Sequence, residues 1–165
     1  MPGKKTIRRA RRAKRQGKSP NTQAGEFVHD EIKKIRKGRH GARSAKQAIA
    51  IGLSQARRAG VDLKPPKKGT VSEKTRKSAE SAYEKGQKHE PISRKRSRAR
   101  VKALKREPTS TVSHDALSKQ AKKAARKRPA SARAAAAKKA ARTKGPRVRS
   151  AAAKKASRTR KRSAG

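Results

Sequence analysis

The sequence predicts a mostly disordered chain with α-helical segments, in which one small helical hairpin, about residues 26–60, is flanked by polycationic arms. Three observations predict this. Lys and Arg number 53 of the 165 residues against 10 Asp and Glu, a formal net charge of +43. Ile, Leu, Val and Phe together number only 17, which places the composition in the range of disordered proteins. Large apolar residues recur at helical spacing in one stretch only, between residues 26 and 64. With so little material for a core, no enzyme is expected.

Residues 1–25 carry nine bases and no acid and read as a disordered basic arm. Residues 7–15 can coil into a helix against phosphates before Gly17, Ser19-Pro20 and Gly25 break it. Met1 and Ile7 are the arm's only large apolar side chains, too few for an amphipathic face. The helical hairpin module follows over 26–69. Its first helix, 26–37, opens with the acids Glu26, Asp30 and Glu31 and closes with Lys33, Lys34, Arg36 and Lys37, as the helix dipole prefers. Val28, Ile32 and Ile35 form its stripe, Phe27 widens it, and Gly38 is its stop signal.

Ser44 and Gln47 form an S-x-x-Q capping box that opens a second helix, 45–59. Ala45, Ala48, Ile49, Gly52, Leu53 and Ala56 share one face of it, and the small Ala48, Gly52 and Ala56 let the two helices approach closely. Gly60 stops this helix, and Val61 and Leu63 fold back before Pro65-Pro66. A unit so small is marginal alone, and homodimerisation through the hairpin, or nucleic acid, is expected to stabilise it.

Beyond the hairpin, residues 70–92 read as a linker with one short helix. Residues 93–128 are basic helical segments, with Val101 and Leu104 as the apolar pair ahead of Pro108 and a further cap at Ser113. Residues 129–165 form a disordered Lys/Ala/Arg-rich tail, helical only when bound to phosphate. One low-complexity unit recurs at a spacing of sixteen: AKKAARKR at 121–128, AKKAARTK at 137–144 and AKKASRTR at 153–160.

Such a charge needs a polyanion, and Lys and Arg gain free energy on nucleic acid by releasing condensed counterions, with no fold or sequence required. The candidate nucleic-acid contacts fall into three groups. Arg8, Arg9, Arg11, Arg12, Lys14 and Arg15 lie on the N-terminal arm. Arg36, Lys37, Arg39 and Arg43 surround the hairpin turn, with Arg57 and Arg58 at the end of the second helix. The repeats supply Lys122, Lys123, Arg126, Lys127 and Arg128, then Lys138, Lys139 and Arg142, then Lys154, Lys155, Arg158 and Arg160.

Base-stacking readout of single strands or RNA uses aromatic rings, and only Phe27 and Tyr83 are on offer. Duplex DNA is therefore the favoured partner. An RNA- or ribosome-associated basic protein is the alternative.

Other chemistries fall away. Cys is absent, which removes thiolate metal sites and cysteine nucleophiles. His29, His40, His89 and His114 have no metal-ligand spacing, and His29-Asp30-Glu31 reads as an ordinary helix start. No catalytic residue, metal, cofactor or small-molecule substrate is expected. No apolar run approaches the ~20 residues that span a bilayer, so membrane insertion is not expected either.

Two resemblances add to this. The tail, with its AKKAAR and AAAAKKAA units, resembles the Lys/Ala-rich tails of linker histones and bacterial histone-like proteins, which implies DNA neutralisation and compaction. The winged-helix domain of linker histones has no counterpart in it. The blocks GEFVHDEI at 25–32 and HGARSAKQAIAIGLSQARRAG at 40–60 resemble an uncharacterised bacterial family of small basic proteins presumed to bind DNA. That resemblance implies a bacterial origin and supplies no activity and no site residues; together with the DNA-binding reading, the expected place is the bacterial cytoplasm, at the nucleoid.

Overall fold

Serine sets where five of the helices begin. Ser19, Ser44, Ser72 and Ser93 each accept a hydrogen bond from the backbone N–H three residues on, and Ser113 does the same for Ala116, satisfying one of the donors a helix start leaves orphaned. In the computed structural model, which describes residues 3–162, these caps open α2 (Pro20–Arg36), α3 (Ala45–Arg58), α4 (Glu73–Gln87), α5 (Arg94–Leu104) and α6 (His114–Arg126). An earlier helix, α1 (Lys4–Arg15), and a last one, α7 (Ala130–Arg162), complete the order, with a single 3-10 turn at Ser110–Val112.

The chain divides after Gln120 into two units. In the first, α1 packs on α2, α2 on α3 and α3 on α4. One core cluster holds Ala10, Ala24, Phe27, Ala56, Val61 and Leu63, with Ile7, Leu53 and Ala59 against it. Val61 and Leu63 do fold back, as their position after Gly60 predicts. A second cluster, of Ile35, Ala42, Ala48 and Val112, closes the end of the hairpin that carries its turn.

The second unit begins within α6. There α7 is interrupted at Gly145 (φ 64°, ψ 167°), just ahead of Pro146. Only glycine adopts that backbone readily. None of its side chains is buried.

The expectation of a mostly disordered chain is overturned: packed helices run through the first unit, and helices carry the repeats of the second. The physical reason is alanine. The chain holds 30 of them, and nine of the fifteen buried apolar residues of the described chain are alanines. Small side chains let helix axes approach until the backbones themselves supply the packing. A count of large apolar residues misses this core.

The N-terminal arm is the clearest correction. Thr6, Ala10 and Ala13 lie at i, i+4 and i+7 and are buried, so α1 has an amphipathic face with no large residue except the half-buried Ile7. Gly25 breaks nothing, because α2 starts at Pro20 and runs through it. Glu26, Asp30 and Glu31 consequently lie beyond the first turn of α2, which contains no acid. Its buried line is Gln23, Ala24, Phe27, Glu31 and Ile35, with Val28 and Ile32 at its edge.

Likewise α4 is a full helix, burying Ala79, Ala82 and Gly86. Gly86 lies so close to α3 that a Cβ there would overlap the Arg57 carbonyl. The Ser44 cap is present, though Gln47 Oε1 accepts from the Arg43 N–H at 2.6 Å, and Ser44 Oγ accepts from the Gln47 N–H at 3.2 Å. The side chain thus reaches one residue further back than in a reciprocal box.

Candidate nucleic-acid interface

Burial of the alanine faces decides which cations turn outward. With Thr6, Ala10 and Ala13 inward, Arg8, Arg11, Arg12 and Arg15 stand exposed on the far side of α1, and Arg9 and Lys14 stand exposed on its flanks. Arg9 also pairs with Glu26 of α2 at 2.8 Å, tying the two helices together while it remains accessible.

Beside it, Asp30 meets Lys34 at 2.7 Å. Partial burial works against its charge, but the Lys34 ammonium, the Thr6 hydroxyl and Arg9 prevail and hold the carboxyl below its usual range. A depressed carboxylate stabilises the folded state fully above its unfolded pKa of about 3.9. That contribution disappears as pH falls through the lower folded value. Acid titration below about pH 4 is therefore expected to loosen α1 from α2, and Asp30→Asn to remove this part of the acid limb. Circular dichroism across pH 2–7 would check it, and an unchanged acid limb in the variant would refute it.

The hairpin cations divide into two sets. Lys37 and Arg39 are exposed at the turn. The other four pair within the fold. Arg36 Nε donates to the Val112 carbonyl at 2.9 Å, and Arg43 meets Glu107 at 3.4 Å while staying largely exposed. Arg57 is only 8% exposed. Its guanidinium donates to the carbonyls of Leu63 and Lys64 at 3.0 and 3.4 Å, and burial pushes its pKa down from its ordinary value. Arg58 donates to the carbonyls of Glu90 and Pro91 at 3.2 and 3.3 Å. Arg36, Arg57 and Arg58 satisfy carbonyls, so replacing them disturbs the fold before it disturbs any surface, whereas Arg43 stays open to solvent in an exposed ion pair of small worth.

Under the turn lies a polar core that the sequence reading took for an ordinary helix start. Glu31 is 1% exposed, and Gln55 Nε2 donates to its Oε2 at 2.8 Å. His40 Nε2 sits 3.4 Å from Oε1, and His40 Nδ1 lies 3.1 Å from the Gly41 carbonyl. The trio fixes the turn to the facing helices. With His29 exposed, Asp30 paired and Glu31 buried, these three residues form no cation site. No group of three or more His, Asp or Glu among the described residues suits a metal ion.

In the second unit every candidate cation is exposed: Lys122, Lys123, Arg126, Lys127 and Arg128; Lys138, Lys139 and Arg142; Lys154, Lys155, Arg158 and Arg160. The first repeat lies in α6 up to Arg126, with Lys127 and Arg128 just past its end, and the other two lie on either side of the Gly145 interruption in α7. Each repeat therefore presents its Lys-Lys pair and its Arg from a helical segment.

One of the basic helical segments expected over 93–128 supplies cations that are not among the candidate contacts named from the sequence. α5 carries Arg94, Lys95, Arg96, Arg98, Arg100 and Lys102, all exposed, with Lys105 and Arg106 just beyond it. The signal was available, since no acid interrupts the chain between Glu90 and Glu107. It was overlooked because these bases form neither a repeat nor a terminus. Among the described residues no helix is long and apolar enough to cross a membrane.

Residues 4–68, which span α1, α2, α3 and the Val61–Leu63 return, match the family model of a family of unknown function, DUF6496. No curated protein and no solved structure matches the chain.

Proposed function

We propose that this is a non-enzymatic, sequence-nonspecific DNA-binding protein of the nucleoid-associated, histone-like kind, which compacts duplex DNA by neutralising its phosphates in the bacterial cytoplasm. The observation that carries this reading is the sidedness of the helices. In α1 the buried line is alanine and threonine and the remaining surface is almost entirely Lys and Arg; in the repeats of the second unit every cation is exposed.

Duplex DNA is favoured over RNA because the chain offers at most one ring, Tyr83, to stack on a base. Phe27 is 1% exposed in the core, and the Tyr83 hydroxyl donates to Asp62 at 2.7 Å. The reading needs one copy of the chain, since α1, α4 and Val112 cover the hairpin from within.

Binding of the full chain to a duplex and to a structured RNA across a salt series tests this. If about ten phosphates are neutralised, log K against log salt should fall with a slope of roughly −9 on duplex DNA. A clear preference for the structured RNA would replace this reading with the RNA- or ribosome-associated one. Failure to bind either at physiological ionic strength would remove both.

A further inference from the structure

We infer that α5 is a strut that presents its cations to the major groove of a B-form DNA duplex. The inference rests on the DNA-binding reading above and narrows it to one helix.

Propensity and the Ser93 cap favour α5 as a helix, but its charges work against it. Arg94 and Arg98, Arg96 and Arg100, and Arg98 and Lys102 are like charges at i,i+4, an arrangement that destabilises a helix. No acid on the helix relieves them. Packing does not compensate, because Leu104 is its only buried residue and Val101 is 38% exposed. α5 does not pack along any neighbouring helix. A helix with so small an apolar strip and no favourable i,i+4 pairs gains little from its own surface.

Yet the fold fastens both of its ends. Ahead of it, Arg58 at the end of α3 holds the Glu90 and Pro91 carbonyls. Beyond it, the Gly41 N–H donates to the Leu104 carbonyl at 2.9 Å and the Ala42 N–H to the Pro108 carbonyl at 3.0 Å. Thr111 Oγ1 donates to the Ala42 carbonyl at 2.8 Å, and Val112 is fully buried in the second core cluster. Gly41 is required there, since a Cβ would overlap the Glu107 carbonyl. α5 is thus strung between points just before and at the end of α3, anchored at its ends and bare along its length.

Concentrated like charge, held in place at a cost to the fold, matches a polyanion. At 3.6 residues per turn the cations of α5 fall in two groups on either side of the small Ala99 and Ala103, and Ser97, Val101 and Leu104 form the remaining strip. Such an arrangement suits phosphates on two sides at once, as the walls of a groove supply. The B-DNA major groove, about 12 Å wide, admits an α-helix. The deep, narrow major groove of A-form RNA does not.

Two variants of equal charge separate this proposal from the general reading. One carries Arg94→Gln, Arg96→Gln, Arg98→Gln, Arg100→Gln and Lys102→Gln, and the other Lys122→Gln, Lys123→Gln, Lys138→Gln, Lys139→Gln and Lys154→Gln. Glutamine keeps the helix propensity of Lys and Arg. On a 30-base-pair duplex the α5 variant should lose about four units of salt slope, and clearly more affinity than the tail variant. Equal losses in the two would overturn the α5 assignment and leave nonspecific DNA binding standing. No binding by the unaltered protein would overturn the general reading instead.

Amine-labelling of the unaltered chain keeps the test sound if the α5 variant misfolds. Lys95, Lys102 and Lys105 should be protected by duplex DNA more than Lys67 and Lys68. Equal protection of the two groups, or equal protection of the α5 lysines by duplex RNA, would overturn the groove assignment.

Discussion

Phe27→Ala is expected to unfold the first unit at ambient temperature. Phe27 is the largest of the fully buried side chains and joins α1, α2 and α3 through Ala10, Ala24 and Ala56. Removing such a ring from a core costs about 3–5 kcal/mol, while whole domains are stable by only about 5–15 kcal/mol. The margin is narrower here, because a net charge of +43 works against any compact state. The cavity is hard to refill from its surroundings, since half of the neighbours are alanines fixed by their helices. Thermal unfolding followed by circular dichroism should show Tm falling by tens of degrees, or the transition vanishing. A shift of only a few degrees would mean that the unit does not depend on this cluster.

Gly52→Val is expected to separate α2 from α3. A Cβ at position 52 would lie 2.6 Å from the Val28 Cα and 2.9 Å from its backbone nitrogen. Backbone atoms cannot rotate aside as a flexible side chain does, so the helices must part. Overpacking of this kind costs about 1–3 kcal/mol, and the β-branched side chain sets that against a gain in helix propensity over glycine of less than about 1 kcal/mol. Moving α3 also shifts the points that anchor Arg58 and Ala42, and with them both ends of α5. Denaturant unfolding should give a lower midpoint, and hydrogen exchange should be faster in α2 and α3 together. Gly25→Val makes a fair comparison, because a Cβ at Gly25 meets nothing within 4 Å. Equal effects at the two positions would show that glycine conformational freedom, and not contact, governs position 52.

Much of the architecture was legible in the chain, and the failures share a cause. The Ser44 cap, the Ala48, Gly52 and Ala56 line, and the return of Val61 and Leu63 are local patterns, and each is present. The α1 face was overlooked because its inward residues are alanine and threonine, whose contribution depends on how closely the next helix comes. The same holds for Ala79, Ala82 and Gly86 in α4. Glu31 was read as a helix-start acid because Gly25 was taken for a break. Once Ser19 and Pro20 set the start of α2, Glu31 falls on the buried side. The arginines were the hardest to sort. Arg36 and Val112 lie 76 residues apart and Arg58 and Pro91 lie 33 apart, so nothing near either arginine in the chain reveals its carbonyl partner.

The sequence by itself determined the excess of positive charge, the want of cysteine chemistry and the helix starts at Ser44 and Ser113, because each depends only on which residues are present or on residues close together in the chain. The tertiary structure decided which of the cations are spent on the fold and which face outward, and it showed that α5 is tied at both ends and bare along its length. Those distinctions depend on contacts between segments far apart in sequence, where a guanidinium that finds a buried carbonyl becomes a fastening and one that finds only water remains open to a ligand.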